Sequence, residues 1–355
     1  MRHITVMFTA VCGWPTHATC NALRGSKNAK YTIIGVDCNP YDTAKNYVDH
    51  LYKVPRYYED GYCDEILAIC MKHGVELVIP LISEEIDVLR AHGYMFSAHG
   101  IRFPWTDSDG LFGIANDKKL CQDFLEARGL FVFPKTVMFN SDIVMKDLEG
   151  FGYPHKSVVL KLRDGCGGVG FKVLNNDKAI AVAKAGGREA RANPYITLDQ
   201  FMEIASTNPE RYMVQEYVPG AEMSTLCLVD HGRTIYSPSH ENFAMQYATT
   251  TYCELVDCEE ATEIATEANR LLKLNGNIGY DFKRDEDGKL KLLEINPRIS
   301  ATVSLAVKAG LNIVEYGVFQ GLGIPFPEDV VPLYGMRLQR VYGTLYSYKG
   351  EPYGT

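Results

Sequence analysis

The stretch Lys291-Leu292-Leu293-Glu294-Ile295-Asn296-Pro297-Arg298 decides how the chain is read, together with Gly279-Tyr280-Asp281-Phe282-Lys283 just before it. The turn Asp285-Glu286-Asp287-Gly288 separates the two runs, so they form a hairpin with acids on both arms. Side chains alternate along a strand, which points Glu294 and Asn296 to one face and assigns Leu293 and Ile295 to the core. Asp281, on the partner arm, can face the same way. Two carboxylates and one amide oxygen make an oxygen-only donor set, suited to Mg²⁺ held jointly with substrate phosphates. Pro297 ends the strand and leaves Arg298 at its mouth. On this segment alone, a solvated hairpin face explains the same residues as well.

Upstream, Val158-Val159-Leu160-Lys161-Leu162 and Gly170-Phe171-Lys172-Val173-Leu174 read as strands joined by Gly165-Cys166-Gly167-Gly168-Val169-Gly170. These letters satisfy GxGxxG, yet the dinucleotide fingerprint needs a helix afterwards, and here a strand follows. Nor is it a Walker loop, because Phe171 stands where the lysine belongs. A glycine-rich turn between two strands can close over phosphates as a flap with unobstructed backbone N–H groups; an ordinary flexible turn is the bland alternative. Lys161 favours the flap: a charge inside an apolar strand is costly without an anionic partner, and a phosphate supplies one. Lys118, after Asn116-Asp117, is a second candidate cation, although a lysine there is more commonly solvated.

The remaining chain organises around these pieces. Ile4 to Phe8, Thr16 to Arg24 and Tyr31 to Asp37 form a βαβ unit, Asp64 to His73 a helix stopped by Gly74, and Val75 to Ile82 an apolar strand. Ser83 then caps a helix over Glu84 to His92. Residues 1–110 are expected to be a doubly wound α/β domain. The helix Asp117 to Arg128 opens a new region, divided into a lobe over 111–212, a second lobe over 213–330 and a short aromatic tail over 331–355 whose role is open. Helices are expected over Leu198 to Ala205 and Glu259 to Lys273.

The chain has 355 residues, 46% hydrophobic and 23% charged, enough for a large core in two or three lobes. Its net charge of -8 provides no basic surface for a phosphate backbone, so nucleic acid is not expected as a partner. No segment has the length of a membrane span, the N-terminus lacks a signal-peptide pattern, and the ten scattered cysteines show no CxxC pair. Free thiols and a cytoplasmic location are expected.

The motifs occur in a fixed order: Asn116-Asp117-Lys118; Val159-Leu160-Lys161 with its glycine loop; Val214-Gln215-Glu216-Tyr217-Val218-Pro219-Gly220-Ala221-Glu222; then Asp281 and Glu294-Ile295-Asn296-Pro297-Arg298. This order resembles the ATP-grasp superfamily, in particular the branch of biotin carboxylase and the large subunit of carbamoyl-phosphate synthase. The resemblance implies a pre-ATP-grasp α/β domain followed by a two-lobed α+β ATP-grasp fold, with ATP and Mg²⁺ as cofactors and Mn²⁺ as a substitute. It further implies that Lys118 and Lys161 contact ATP phosphates beneath the flap formed by Gly165, Gly167, Gly168 and Gly170. Gln215, Glu216, Tyr217 and Val218 would form the adenine hinge, mostly through backbone groups, with Glu222 near the ribose. Asp281, Glu294 and Asn296 would bind the metal, and Arg298 would stabilise the transferred phosphoryl group.

The implied reaction is ADP-forming ligation of a small-molecule carboxylate to an amine through an acyl phosphate, and the assembly could be a homodimer. Substrate contacts are placed at Arg298, at His240 in an expected loop over Pro238 to Phe243, and at Ser300. Ser300 and Thr302 could bind an anion at a helix start or simply cap the helix. Some relatives carry arginine where Lys161 stands. The chain stops soon after the metal motif, so neither relative's specific activity is expected. Competing readings are an ATP-dependent phosphotransferase, a silent ATP-binding module, and a nicotinamide oxidoreductase with Asp37 on a ribose. The last suffers because Val11-Cys12-Gly13-Trp14-Pro15 lacks the glycine spacing.

Overall fold

The computed structural model describes residues 1–13, 16–105, 111–165, 167–185, 193–246, 249–341 and 343–353. Four parallel strands form the first sheet in the order His50–Lys53, Ala29–Asp37, Arg2–Phe8, Leu77–Ile79. Helices Thr16–Arg24, Tyr62–His73 and Glu84–Ala91 lie in its connections, as the βαβ reading requires. The helix Tyr62–His73 stops where expected, at Gly74 in the left-handed conformation (φ 63°). The expected strand over 75–82 shrinks to Leu77–Ile79, because Pro80 cannot donate to the ladder. Asp37 braces its own loop, accepting from the backbone N–H of Cys12 (3.0 Å) and Asn39 (2.8 Å).

The second sheet has the order Thr136–Met138, Tyr212–Glu216, Val158–Leu162, Lys172–Leu174, Tyr195–Ile196. Strand Tyr212–Glu216 therefore belongs to the first lobe, and the crossing to the second lobe follows Glu216 rather than falling at residue 213. The third sheet runs Leu290–Asn296, Gly276–Arg284, Glu222–Asp230, Ser239–Gln246, Thr249–Val256, Arg337–Gln339, with Arg233–Tyr236 paired to Glu222–Asp230. The segment after Pro332 is thus part of this lobe: Arg337–Gln339 is its edge strand, and Arg340 donates to the carbonyls of Thr250 (2.8 Å) and Ala301 (2.7 Å).

The expected loop around His240 is the strand Ser239–Gln246, whose neighbours on both sides are β-strands. Its polar Ser-His-Glu-Asn run hides the β pattern from sequence reading. Helix Leu198–Thr207 carries a complete capping box from Thr197 and Gln200, and Glu259–Leu272 packs its apolar face on the third sheet.

The α/β domain and the second lobe share continuous cores: Met7, Ile34 and Val78 lie in one buried cluster with Tyr280, Phe282 and Leu292. Glu315, buried on helix Ile313–Leu322, accepts from Asn28 (2.9 Å), Tyr31 (3.1 Å) and the Ser26 hydroxyl, so a buried carboxylate is satisfied by donors of the other domain. Inside the second lobe, Tyr280 is fully buried beside Asp281 and donates to Asn269 Oδ1 (2.5 Å). Tyr280→Phe strands that amide oxygen, and we expect a loss of about 1–3 kcal/mol in urea denaturation; an unchanged midpoint and slope would refute the role given to this bond.

Candidate active site between the two lobes

Asp281 and Glu294 face each other as direct partners across the strand pair. The ladder then slips: Phe282 pairs with Leu292, so Leu293 is an extra residue on its strand. This bulge corrects the alternation read from sequence. Leu292 and Ile295 enter the core, whereas Leu293 turns with Glu294 and Asn296 toward a cleft of about 720 Å³.

The two lysines come from the first lobe. Strand Val158–Leu162 carries Lys161 inward, 8% exposed, where its ammonium donates to the Leu293 carbonyl (3.2 Å). Lys118 begins the helix Lys118–Glu126, capped by Asp117, and lies 3.2 Å from Glu294 Oε2 while donating to the Gly165 carbonyl. Arg163 ties the flap root to the same cap, 2.6 Å from Asp117. Gly167, Gly168 and Gly170 all adopt positive φ, and a Cβ on Gly170 would meet Leu162 Cγ at 2.6 Å, so the flap requires glycine there. Cys166 lies outside the described residues.

The charges answer one another. Burial, and then the Glu294 carboxylate, push Asp281 up to about 7, against the pull of a hydrogen bond from Ser224 and the nearby Arg298. Burial alone would raise Glu294 as well, but Lys118, Lys161 and the Asn296 amide together hold it below its ordinary value. Asn296 donates its amide N–H groups to Asp281 Oδ2 (2.9 Å) and Glu294 Oε1 (3.2 Å), and its Oδ1 accepts from Arg298 (3.3 Å). These N–H groups stand where a cation would sit, and rotating the amide by half a turn presents Oδ1 instead. Two facing carboxylates without a cation between them repel, so the donor chemistry fits a hard divalent ion.

The hinge residues also line the cleft. Gln215 donates to Thr136 Oγ1 (2.7 Å) and Glu216 Oε1 accepts from the Lys135 N–H (2.8 Å), while the Glu216 N–H donates to the Lys135 carbonyl (3.0 Å), so both side chains serve the fold. Glu222 lies 3.5 Å from Lys283 at the cleft wall. Arg298 and Ser300 also line the cleft. His240 does not: it is wholly buried, bonded to Asn242 (2.8 Å) and Thr302 (2.8 Å), and burial pushes it down to about 4, so it is neutral and cannot shuttle protons with a bound substrate. Neither Ser300 nor Thr302 caps the six-residue helix Val303–Lys308 through its side chain. Ser224, Asn242, Met245 and Thr250 also line the cleft, and the sequence carries no signal for them because each is brought there by antiparallel register.

Lys161 carries a pH signature. Burial, opposed by Glu294 and reinforced by Lys118, lowers its ammonium from 10.5 to about 8. A lysine whose pKa falls on folding penalises the folded state below that pKa, and the penalty is relieved as pH climbs toward the unfolded value. The ligand-free protein should therefore gain stability relative to Lys161→Met between about pH 8 and about pH 10 in urea titrations; a pH-independent difference between the two would contradict the buried cation.

Residues 208–344 match the family described as ATP-grasp in the biosynthetic pathway with Ter operon, and residues 10–103 match the PylC-like N-terminal domain. Biotin carboxylase of Halalkalibacterium halodurans is 22% identical over 301 residues, covering 79% of this chain and 61% of that protein. The carbamoyl phosphate synthase large chain of Methanothermobacter thermautotrophicus is 23% identical over 279 residues, covering 77% of this chain and 26% of that protein. The chain thus spans less than two thirds of the length of these relatives. N5-carboxyaminoimidazole synthetase from Staphylococcus aureus, solved with ADP, superposes with a TM-score of 0.69 at 14% identity, over 94% of this chain and 81% of that one. Among the described residues no helix is long and apolar enough to cross a membrane. In fold, and in the family models that match residues 10–103 and 208–344, the chain is similar to ATP-grasp enzymes and to the PylC-like N-terminal domain.

Proposed function

We propose that this chain is an ATP-dependent, ADP-forming ligase that joins a small-molecule carboxylate to an amine. One observation carries the reading: Lys118 and Lys161 of one lobe converge on the Glu294 carboxylate of the other, in a cleft that Asp281 and the glycines of the flap also line. Biotin carboxylase, carbamoyl phosphate synthase and the ADP-bound synthetase lend it support as relatives.

Asp281, Glu294 and the rotated Asn296 would hold Mg²⁺, with Mn²⁺ as an acceptable substitute, and the ion would neutralise phosphate charge. Lys118 and Lys161 bind the phosphates, and the backbone of Gln215 to Val218 holds the adenine with Glu222 near the ribose. Burial weakens the charge on Lys161, and a bound phosphate would restore it. Lys118, now shared between Gly165 and Glu294, turns to the phosphate when the flap descends.

The carboxylate attacks the γ-phosphorus and the bond to the β-phosphate oxygen breaks, releasing ADP and leaving an acyl phosphate. The amine then attacks the acyl carbon, loses a proton and expels inorganic phosphate. Such chemistry depends on positioning and charge neutralisation more than on an acid or base. Arg298, held by Ser83 (3.3 Å) and the Ile299 carbonyl (3.2 Å), keeps its guanidinium at the cleft for the phosphoryl group or the carboxylate.

Pairs of carboxylates and amines screened for nucleotide turnover should release ADP, and Glu294→Ala should lower that rate about a hundredfold or more with the fold retained. Release of AMP would replace the acyl phosphate by an acyl adenylate, and full activity in the variant would remove Glu294 from the metal site.

A further inference from the structure

A continuous file of hydrogen bonds joins four segments of the second lobe, from Ser300 in the cleft lining to Asp281. Ser300 Oγ meets Thr302 Oγ1 at 3.0 Å, Thr302 Oγ1 meets His240 Nε2 at 2.8 Å, and His240 Nδ1 meets Asn242 Oδ1 at 2.8 Å. Asn242 Nδ2 then meets Ser224 Oγ at 3.2 Å, and Ser224 Oγ meets Asp281 Oδ1 at 2.7 Å. His240 is fully buried and Thr302 is 3% exposed, so water does not compete for the link between them, whereas Asn242 and Ser224 border the cleft.

Counting protons gives the file a single direction. An ionised Asp281 only accepts, so the one proton of the Ser224 hydroxyl goes to Oδ1. Ser224 Oγ must then accept from Asn242, which orients that amide with Oδ1 toward His240. An amide oxygen forces His240 Nδ1 to carry the ring proton, so Nε2 accepts from Thr302. With its proton spent, Thr302 accepts from Ser300. Each link is determined by the next, and the last is a proposed metal ligand.

We propose that Thr302, His240 and Asn242 are positioning residues: this directed file holds Ser224 as a donor to Asp281 and so sets the affinity of the site for its divalent ion. The inference rests on the metal reading of Asp281. Cutting the file at Thr302 leaves every cleft carboxylate and lysine in place while freeing His240 to change tautomer, Asn242 to rotate and Ser224 to turn from Asp281.

The test is equilibrium binding of ADP at increasing Mg²⁺, beside metal-free ADP binding and thermal unfolding. Thr302→Val should raise the Mg²⁺ needed for half-maximal tightening of ADP about tenfold, as loss of an outer partner of a metal ligand does. Metal-free ADP affinity should hold, and Thr302→Ser, which keeps the hydroxyl, should restore the Mg²⁺ response. An unchanged Mg²⁺ response in Thr302→Val overturns the proposal. So does an equal loss of metal-free and metal-dependent binding in both variants, which marks a packing defect. Should the valine variant fail to fold, Thr302→Cys replaces it, its weak S–H donor giving an intermediate response if the file matters and none if it does not. Wild-type ADP binding indifferent to Mg²⁺ would instead defeat the metal assignment beneath it.

Discussion

Two carboxylates placed opposite each other in a solvent-poor cleft cannot both stay charged unless cations surround them, and this constraint organises the molecule. Asp281 and Glu294 are direct partners on adjacent strands of one sheet, whereas the ammonium groups that answer Glu294 belong to the other lobe. Closing the lobes is therefore an electrostatic act. Lys161 reaches the Leu293 carbonyl and Lys118 reaches Glu294, so each lobe supplies what the other must neutralise. The remaining demand, between the two carboxylates, is met for the moment by the Asn296 amide.

That arrangement depends on a departure from regular strand geometry. With strict alternation, Leu293 would enter the core and Glu294 would face the cleft without its carbonyl neighbour turned toward Lys161. The bulge at Leu293 puts a main-chain oxygen and a carboxylate side by side, and it still buries Leu292 and Ile295. The flap has a comparable economy: Asp117 both caps the helix bearing Lys118 and pairs with Arg163 at the flap root, so one carboxylate sets the position of the lysine and the loop together.

The N-terminal domain holds the second lobe rather than standing apart from it. Its sheet shares a buried core with the hairpin that carries Asp281 and Glu294, its donors satisfy Glu315, and Ser83 accepts from Arg298. The aromatic C-terminal segment acts from the other side, where Arg340 secures the carbonyls of Thr250 and Ala301 at the edge of the cleft. A change in either region should be felt at the site through backbone position, although among the described residues neither region places a charged side chain against the two facing carboxylates.

By itself the sequence determined the fold class and named Lys118, Lys161, Asp281, Glu294 and Asn296 as candidates. The local signals, a charge within an apolar strand, glycines between two strands and acids on both arms of a hairpin, each had a bland alternative, and the order of the motifs with the resemblance it carries joined them into one site. Tertiary structure decided what depends on register and crossing. The bulge at Leu293, the place of Tyr212–Glu216 in the first lobe, the edge strand Arg337–Gln339 and the burial of His240 are set by pairing between residues far apart in the chain. A histidine in a polar run reads as solvated from its neighbours in sequence. Only the strands packed around it make it a buried, neutral link to Asp281, because burial and hydrogen-bond direction are properties of the assembled sheet.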